Sequence, residues 1–112
     1  MQDEKLKMIL SLVLQQVKLI VGDDLSETIL YGSYARGDYD VESDIDIALI
    51  IDLERRQVQM FRGALVEVIS KMNMDYDVLL SIQCIPKNDF EQYKNDLPFY
   101  RAVDREGVRL VA

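Results

Sequence analysis

The chain has 112 residues, with 20 acidic against 13 basic side chains, a formal net charge of −7, no histidine, no tryptophan and one cysteine. These counts leave room for a single domain, 1–112, around one core, and they exclude zinc sites, histidine triads and an intrachain disulfide, so any bound metal is held by oxygen. The acidity argues against a general grip on nucleic acid, no run is long enough to span a bilayer, and the acidic amino terminus without a signal-peptide pattern, together with the lone Cys84 in an apolar run, reads as a cytoplasmic protein.

From Asp3 to Val21, Leu6, Leu10, Val13, Val17 and Ile20 recur at helical spacing and predict a first helix. Met8, Leu12 and Leu19 form a second apolar stripe roughly opposite, which is either covered by flanking segments or offered to a partner or a second subunit. Thr28 to Tyr31 reads as a short strand, and Ala35 to Gly37 as a single helical turn. Ile45 to Ile51 is a β-branched and aliphatic run expected of a central strand covered on at least one face. Glu54 to Met72 returns to the helical period, Tyr76 to Ile85 reads as a third strand, and Asn88 with Glu91 resembles a capping box opening another helix. Pro98 begins a last helical stretch that Gly107 ends. The order predicts an α/β layer structure with helices packed on a small sheet, whose strand directions the sequence does not reveal.

The chemistry lies between Tyr31 and Ile51. Asp38, Asp40, Glu42, Asp44 and Asp46 alternate, so in an extended chain their carboxylates share one face. Asp44 and Asp46 enter the apolar strand directly, where alternate residues have Cα atoms about 6.5 to 7 Å apart and two carboxylates converge on one or two divalent ions. Magnesium suits such a site because it takes a few carboxylates and completes its shell with water and substrate phosphates. Upstream, Leu30 and Tyr31 run into Gly32 and Ser33, where backbone amides, the Ser33 hydroxyl and the fixed charge of Arg36 can cradle phosphate oxygens. A plain helix cap is the alternative for Ser33. Gly32 to Gly37 has Walker-loop spacing, but Asp38 and Tyr39 stand where lysine and a hydroxyl residue are required.

Gly-Ser, ten residues, then Asp-x-Asp, written here GSYARG...SDIDI, resembles the DNA polymerase β-like nucleotidyltransferase superfamily and in particular its minimal nucleotidyltransferases. The segment YDVLL and the ending PFYRAVDREGVRL also look like that subfamily. The resemblance implies an α+β fold with a small mixed sheet flanked by helices, ATP with two magnesium ions, and transfer of AMP to a hydroxyl with loss of pyrophosphate. It implies a third carboxylate on the strand after the long helix; Asp75 and Asp77 both qualify, and Asp77 is the better match because it directly precedes Val78, Leu79 and Leu80. By this reading Asp44, Asp46 and Asp77 hold the metals and carry the reaction, while Gly32, Ser33 and Arg36 bind the nucleotide.

The same resemblance implies an antitoxin that attaches AMP to a tyrosine on a helical HEPN toxin, since the chain shows no substrate-recognition domain of the kind larger relatives carry. Two other readings stand beside it: a nucleotide-binding antitoxin acting by contact alone, and an adenylyltransferase for an antibiotic or other small hydroxyl compound. Tyr31, Tyr34 and Tyr39 surround the motif, where one could stack on a base, and Arg55, Arg56 and Arg62 read as a solvated helix face.

Overall fold

A strand buried on both faces has no polar side to show, and the run Ile45–Ile51, apolar apart from the half-buried Asp46, forms such a strand from Ile47 onward at the centre of the sheet. The computed structural model describes residues 3–111. Its elements in chain order are α1 (Asp3–Val21), β1 (Leu25–Tyr31), the single turn α2 (Ser33–Arg36), β2 (Ile45–Ile51), α3 (Arg55–Val58), α4 (Arg62–Tyr76), β3 (Leu80–Pro86), α5 (Lys87–Tyr93), α6 (Pro98–Glu106) and the short β4 (Val108–Arg109). The sheet order is β3-β2-β1-β4; β1 runs antiparallel to β2 and β4, and β2 parallel to β3. This is the mixed sheet flanked by helices that the resemblance implied.

The two sheet faces carry different layers. Leu30, Ile45, Ile47, Leu49, Ile51 and Leu80 pack against α1 and α4. Ile29, Ala48, Ile50 and Ile85 pack against Phe90 of α5 and Val103 of α6. In α1 the innermost line is Ile9, Val13, Leu14, Val17 and Val21, so the helix is rotated from the expected stripe, and Leu6, Leu10 and Ile20 lie at its flanks. Of the second stripe, Leu12 packs on the core while Met8 is 44% and Leu19 79% exposed.

Three local expectations are corrected. The helix expected from Glu54 to Met72 is broken by a 3₁₀ turn at Gln59–Phe61, and a capping box sits at its start: the Glu54 N–H donates to Gln57 Oε1 at 3.1 Å. Asn88 and Glu91 form no such box, because α5 opens at Lys87 directly after Pro86. The third strand begins at Leu80 and not at Tyr76. Helix α4 continues through Tyr76, Asp77 turns the chain in the left-handed region (φ 52°), and the Asn73 side chain takes the Leu80 N–H at 2.9 Å. Asp75 is thereby an exposed helical residue.

Among the described residues, no helix is long and apolar enough to cross a membrane. Replacing Ile47, fully buried between sheet and helices, with alanine leaves a cavity, so Ile47→Ala is expected to lose about 2–5 kcal/mol in urea unfolding. Leu19→Ala, on the exposed side of α1, should stay within about 0.5 kcal/mol of the parent.

Candidate active site

The antiparallel register sets Tyr31 directly across from Asp46, and the parallel register sets Ser81 on its other side. Side chains alternate along a strand, so Asp46 shares its face with Ala48 and Ile50, the face covered by α5 and α6. Ala48 is fully buried and Asp46 only half-buried, so the carboxylate marks the place where the helical cover stops. Asp44 lies one residue before the strand and is exposed.

The chain leaves β1 through Gly32, whose φ of 77° and ψ of −157° belong to a region populated essentially by glycine. Any Cβ at that position would overlap Asp46 Oδ2 and lie 3.3 Å from Asp46 Cγ. The glycine is thus needed twice, for its conformation and for the close approach of the carboxylate. Its carbonyl accepts the N–H groups of Ala35 and Arg36, both at 3.1 Å, and this starts the α2 turn. Amides of a first helical turn have no partner within the helix, which leaves those of Ser33 and Tyr34 available to an anion.

Burial, together with the charge of Asp44, raises the Asp46 carboxyl above the usual carboxylate range, while Arg36 pulls it down. The Tyr31 phenol is pushed up to about 12 by burial and by Asp46, so it remains a protonated donor at neutral pH. Its ring meets Phe99 edge-on at 5.5 Å, and Phe99 is 43% exposed, extending an aromatic wall from the carboxylate toward α6. Arg36 is exposed and shared between Asp38 at 3.2 Å and Glu106 at 3.5 Å, which ties the α2 turn to the end of α6. Sequence reasoning missed Phe99 and Glu106, which reach the site from far along the chain without a local signal.

The five alternating acids do not form one extended face. Asp40 builds a turn instead: its Oδ1 accepts the Glu42 N–H at 2.9 Å, and its own N–H donates to Ser43 Oγ at 2.9 Å. Tyr34 and Tyr39 stack on each other at 4.3 Å and brace this loop. The structure therefore gathers Gly32, Ser33, Arg36, Asp44 and Asp46 around the start of β2, whereas Asp77 lies in the turn entering β3 and is exposed. Among the described residues, no three or more Cys, Asp and Glu side chains converge as a metal cluster.

A family model described as a nucleotidyltransferase domain matches residues 10–106. Two relatives come from Methanocaldococcus jannaschii, both provisionally named protein adenylyltransferases. MJ0141 is 34% identical over 67 residues, 60% of this chain and 66% of the relative. MJ0604 is 32% identical over 83 residues, 74% of this chain and 75% of the relative. Among solved structures, a toxin–antitoxin MntA-HpeT mutant superposes with a TM-score of 0.56 at 16% identity, covering 91% of this chain and 72% of that one. A toxin–antitoxin crystal structure with AMP-PNP gives 0.51 at 18% identity, covering 100% and 74%. At such identities these two likenesses speak for the fold.

Two outcomes follow from the Gly32–Asp46 contact. Gly32→Ala should fold but lose about 1–3 kcal/mol in urea unfolding, from backbone strain and displacement of the carboxylate. Because the folded chain binds the Asp46 proton more tightly than the unfolded chain, the protonated group's stabilising contribution is complete below the unfolded pKa and is lost as pH rises through the raised folded pKa. Asp46→Asn should therefore melt higher than the parent at pH 7, with the gap narrowing as the pH falls through that window. A parent that melts higher at pH 7 would contradict this.

Proposed function

The chain belongs to the nucleotidyltransferase domain family, and on that premise we propose that it transfers AMP from ATP to a protein hydroxyl in the cytoplasm, with a tyrosine of a HEPN-type toxin as acceptor. The observation that carries the reading is the Asp44–Asp46 pair set against the Gly32–Ser33 turn. Burial and a neighbouring negative charge make ionised Asp46 costly until a cation arrives, so the pair suits a hard divalent ion.

Asp44 and Asp46 would hold two magnesium ions. Asp77 is proposed as the third ligand, because the segment it leads into remains beside the start of β2: the Ile45 N–H donates to the Leu79 carbonyl at 2.8 Å. When bound, the ions supply positive charge that lowers the acceptor hydroxyl's pKa and offsets the charge on pyrophosphate. The Ser33 hydroxyl, the amides of the α2 turn and Arg36 orient the β and γ phosphates, with Arg36 turning from Asp38 and Glu106 to the phosphates. The acceptor oxygen gives up its proton to a carboxylate or water and bonds to the α phosphorus. The bond from that phosphorus to the bridging oxygen breaks, and pyrophosphate leaves with the electron pair. Positioning and charge account for most of the acceleration.

The names of the relatives and the toxin–antitoxin neighbours support a protein acceptor and a toxin partner. A net charge of −7 suits association with a basic, RNA-cutting partner. The test is intact-mass and peptide analysis of the adjacent gene's product after incubation with this chain, ATP and magnesium. One AMP on a tyrosine is expected; AMP found only on RNA or a small molecule would overturn the reading. Asp44→Asn and Asp46→Asn should each reduce transfer by about 100-fold or more. Asp77→Asn keeps a residue that tolerates the left-handed turn, so the fold should persist, and ATP binding with it, while transfer falls. Transfer by Asp77→Asn at the parent's rate would remove Asp77 from the site.

A further inference from the structure

The sheet ends at β3, which pairs with β2 on one side and with no strand on the other among the described residues. An open edge presents peptide groups to any extended chain, and folded proteins usually blunt it. Here the blunting is local. The Leu80 N–H points outward and is taken by Asn73 Oδ1 at 2.9 Å, and Pro86 at the other end has no N–H to offer. Peptide groups alternate in direction along a strand, so Ile82 and Cys84 present theirs outward between these two stops.

A groove of about 580 Å³ follows this stretch. Val58, Leu65 and Ile69 give it an apolar wall. Val66, 50% exposed, lies in the same groove, and Leu79, 59% exposed, stands just before β3. The Pro86 end is marked by the ion pair of Arg55 with Asp89 at 3.0 Å. Arg62 also lines the groove and has no ion-pair partner among the described residues. The groove's charged lining is Arg55, Arg62 and Asp89, so it carries a net positive charge in a chain of formal charge −7.

We propose that this edge docks an extended, acidic segment of a partner protein, which adds to β3 as a fifth strand through the peptide groups of Ile82 and Cys84. Its alternate apolar side chains lie against Val58, Leu65 and Ile69, and its carboxylates meet Arg62. Charge disfavours a second copy of this chain as the occupant. Two-fold pairing of β3 with itself would bring two Arg62 side chains to one interface and join two chains of charge −7. The bound segment would pass Ser81, whose short side chain lies beside Asp46, at about two strand spacings, or 10 Å, from β2. Delivery of an acceptor hydroxyl along that path rests on the adenylyl-transfer reading; the docking itself does not.

The test is amide hydrogen exchange of the full chain by NMR, with a synthetic peptide of alternating valine and glutamate as probe and its valine–lysine counterpart as control. In the free chain, the Ile82 and Cys84 amides should exchange faster than those of Gln83 and Ile85, which face β2. The acidic peptide should slow exchange at Ile82 and Cys84, and Arg62→Glu should weaken its binding about tenfold or more while leaving ATP binding unchanged. Cys84→Pro, which removes one outward N–H from an edge strand that tolerates proline, should weaken it similarly. Three results would overturn the proposal: concentration-dependent protection of Ile82 and Cys84 without peptide, which would identify a second copy as the occupant; equal binding of the lysine peptide; or no binding of either peptide. A failure here with ATP binding and AMP transfer intact would leave the proposed reaction standing.

Discussion

The carboxylate of Asp46 rests against the bare α-carbon of Gly32, and the arrangement of the site depends on that approach. A side chain at Gly32 would push the carboxylate away from the turn, and no other residue adopts the backbone angles of Gly32 readily. The contact joins two elements separated in sequence, the glycine turn after β1 and a carboxylate pair at the start of β2. Antiparallel pairing of those strands makes the contact, with Tyr31 across from Asp46. The buried run of β2 then fixes the carboxylate from behind, since Ile47 and Leu49 are locked in one core and Ala48 and Ile50 in the other.

Electrostatics gives the contact its purpose. Asp46 carries a charge that its surroundings oppose, through burial and through Asp44, and Arg36 compensates only in part while itself engaged by Asp38 and Glu106. In the proposed reaction a divalent cation with a polyphosphate would satisfy both halves, the cation balancing the charge of Asp46 and the phosphates that of Arg36. The acidic composition argues against a general grip on nucleic acid, whereas the proposed binding of one nucleotide needs only a few well-placed positive groups.

Much of this is legible in the sequence because it is local. The run Ile45–Ile51 reads as a central strand from its composition, the spacing of Gly32, Ser33, Asp44 and Asp46 carries the resemblance to the nucleotidyltransferases, and α1 is visible in its period. What escapes the sequence depends on partners far along the chain. The sequence ends the helical period at Met72 and starts the strand at Tyr76, whereas the folded chain carries the helix through Tyr76 and sets the boundary by a left-handed turn at Asp77 and by Asn73 taking the Leu80 N–H. The rotation of α1 toward Ile9 and Val21 is set by the sheet beneath it. Glu106 reaches Arg36 across 70 positions, and Phe99 meets Tyr31 because α6 packs on β1, neither of which a short window contains. Arg55 and Arg62 read alone as a solvated face; only the folded chain sets them along the open side of β3.

The most direct measurement of the central claim is the carboxyl titration of Asp46 by carbon-13 NMR, with and without magnesium and a nonhydrolysable ATP analogue. The account predicts a free carboxyl that titrates above the ordinary aspartate range and falls well below it when both ligands are present, with no such fall for the nucleotide alone. A titration unmoved by magnesium and nucleotide together would contradict the assignment of Asp46 to a cation, and with it the proposed chemistry of the site.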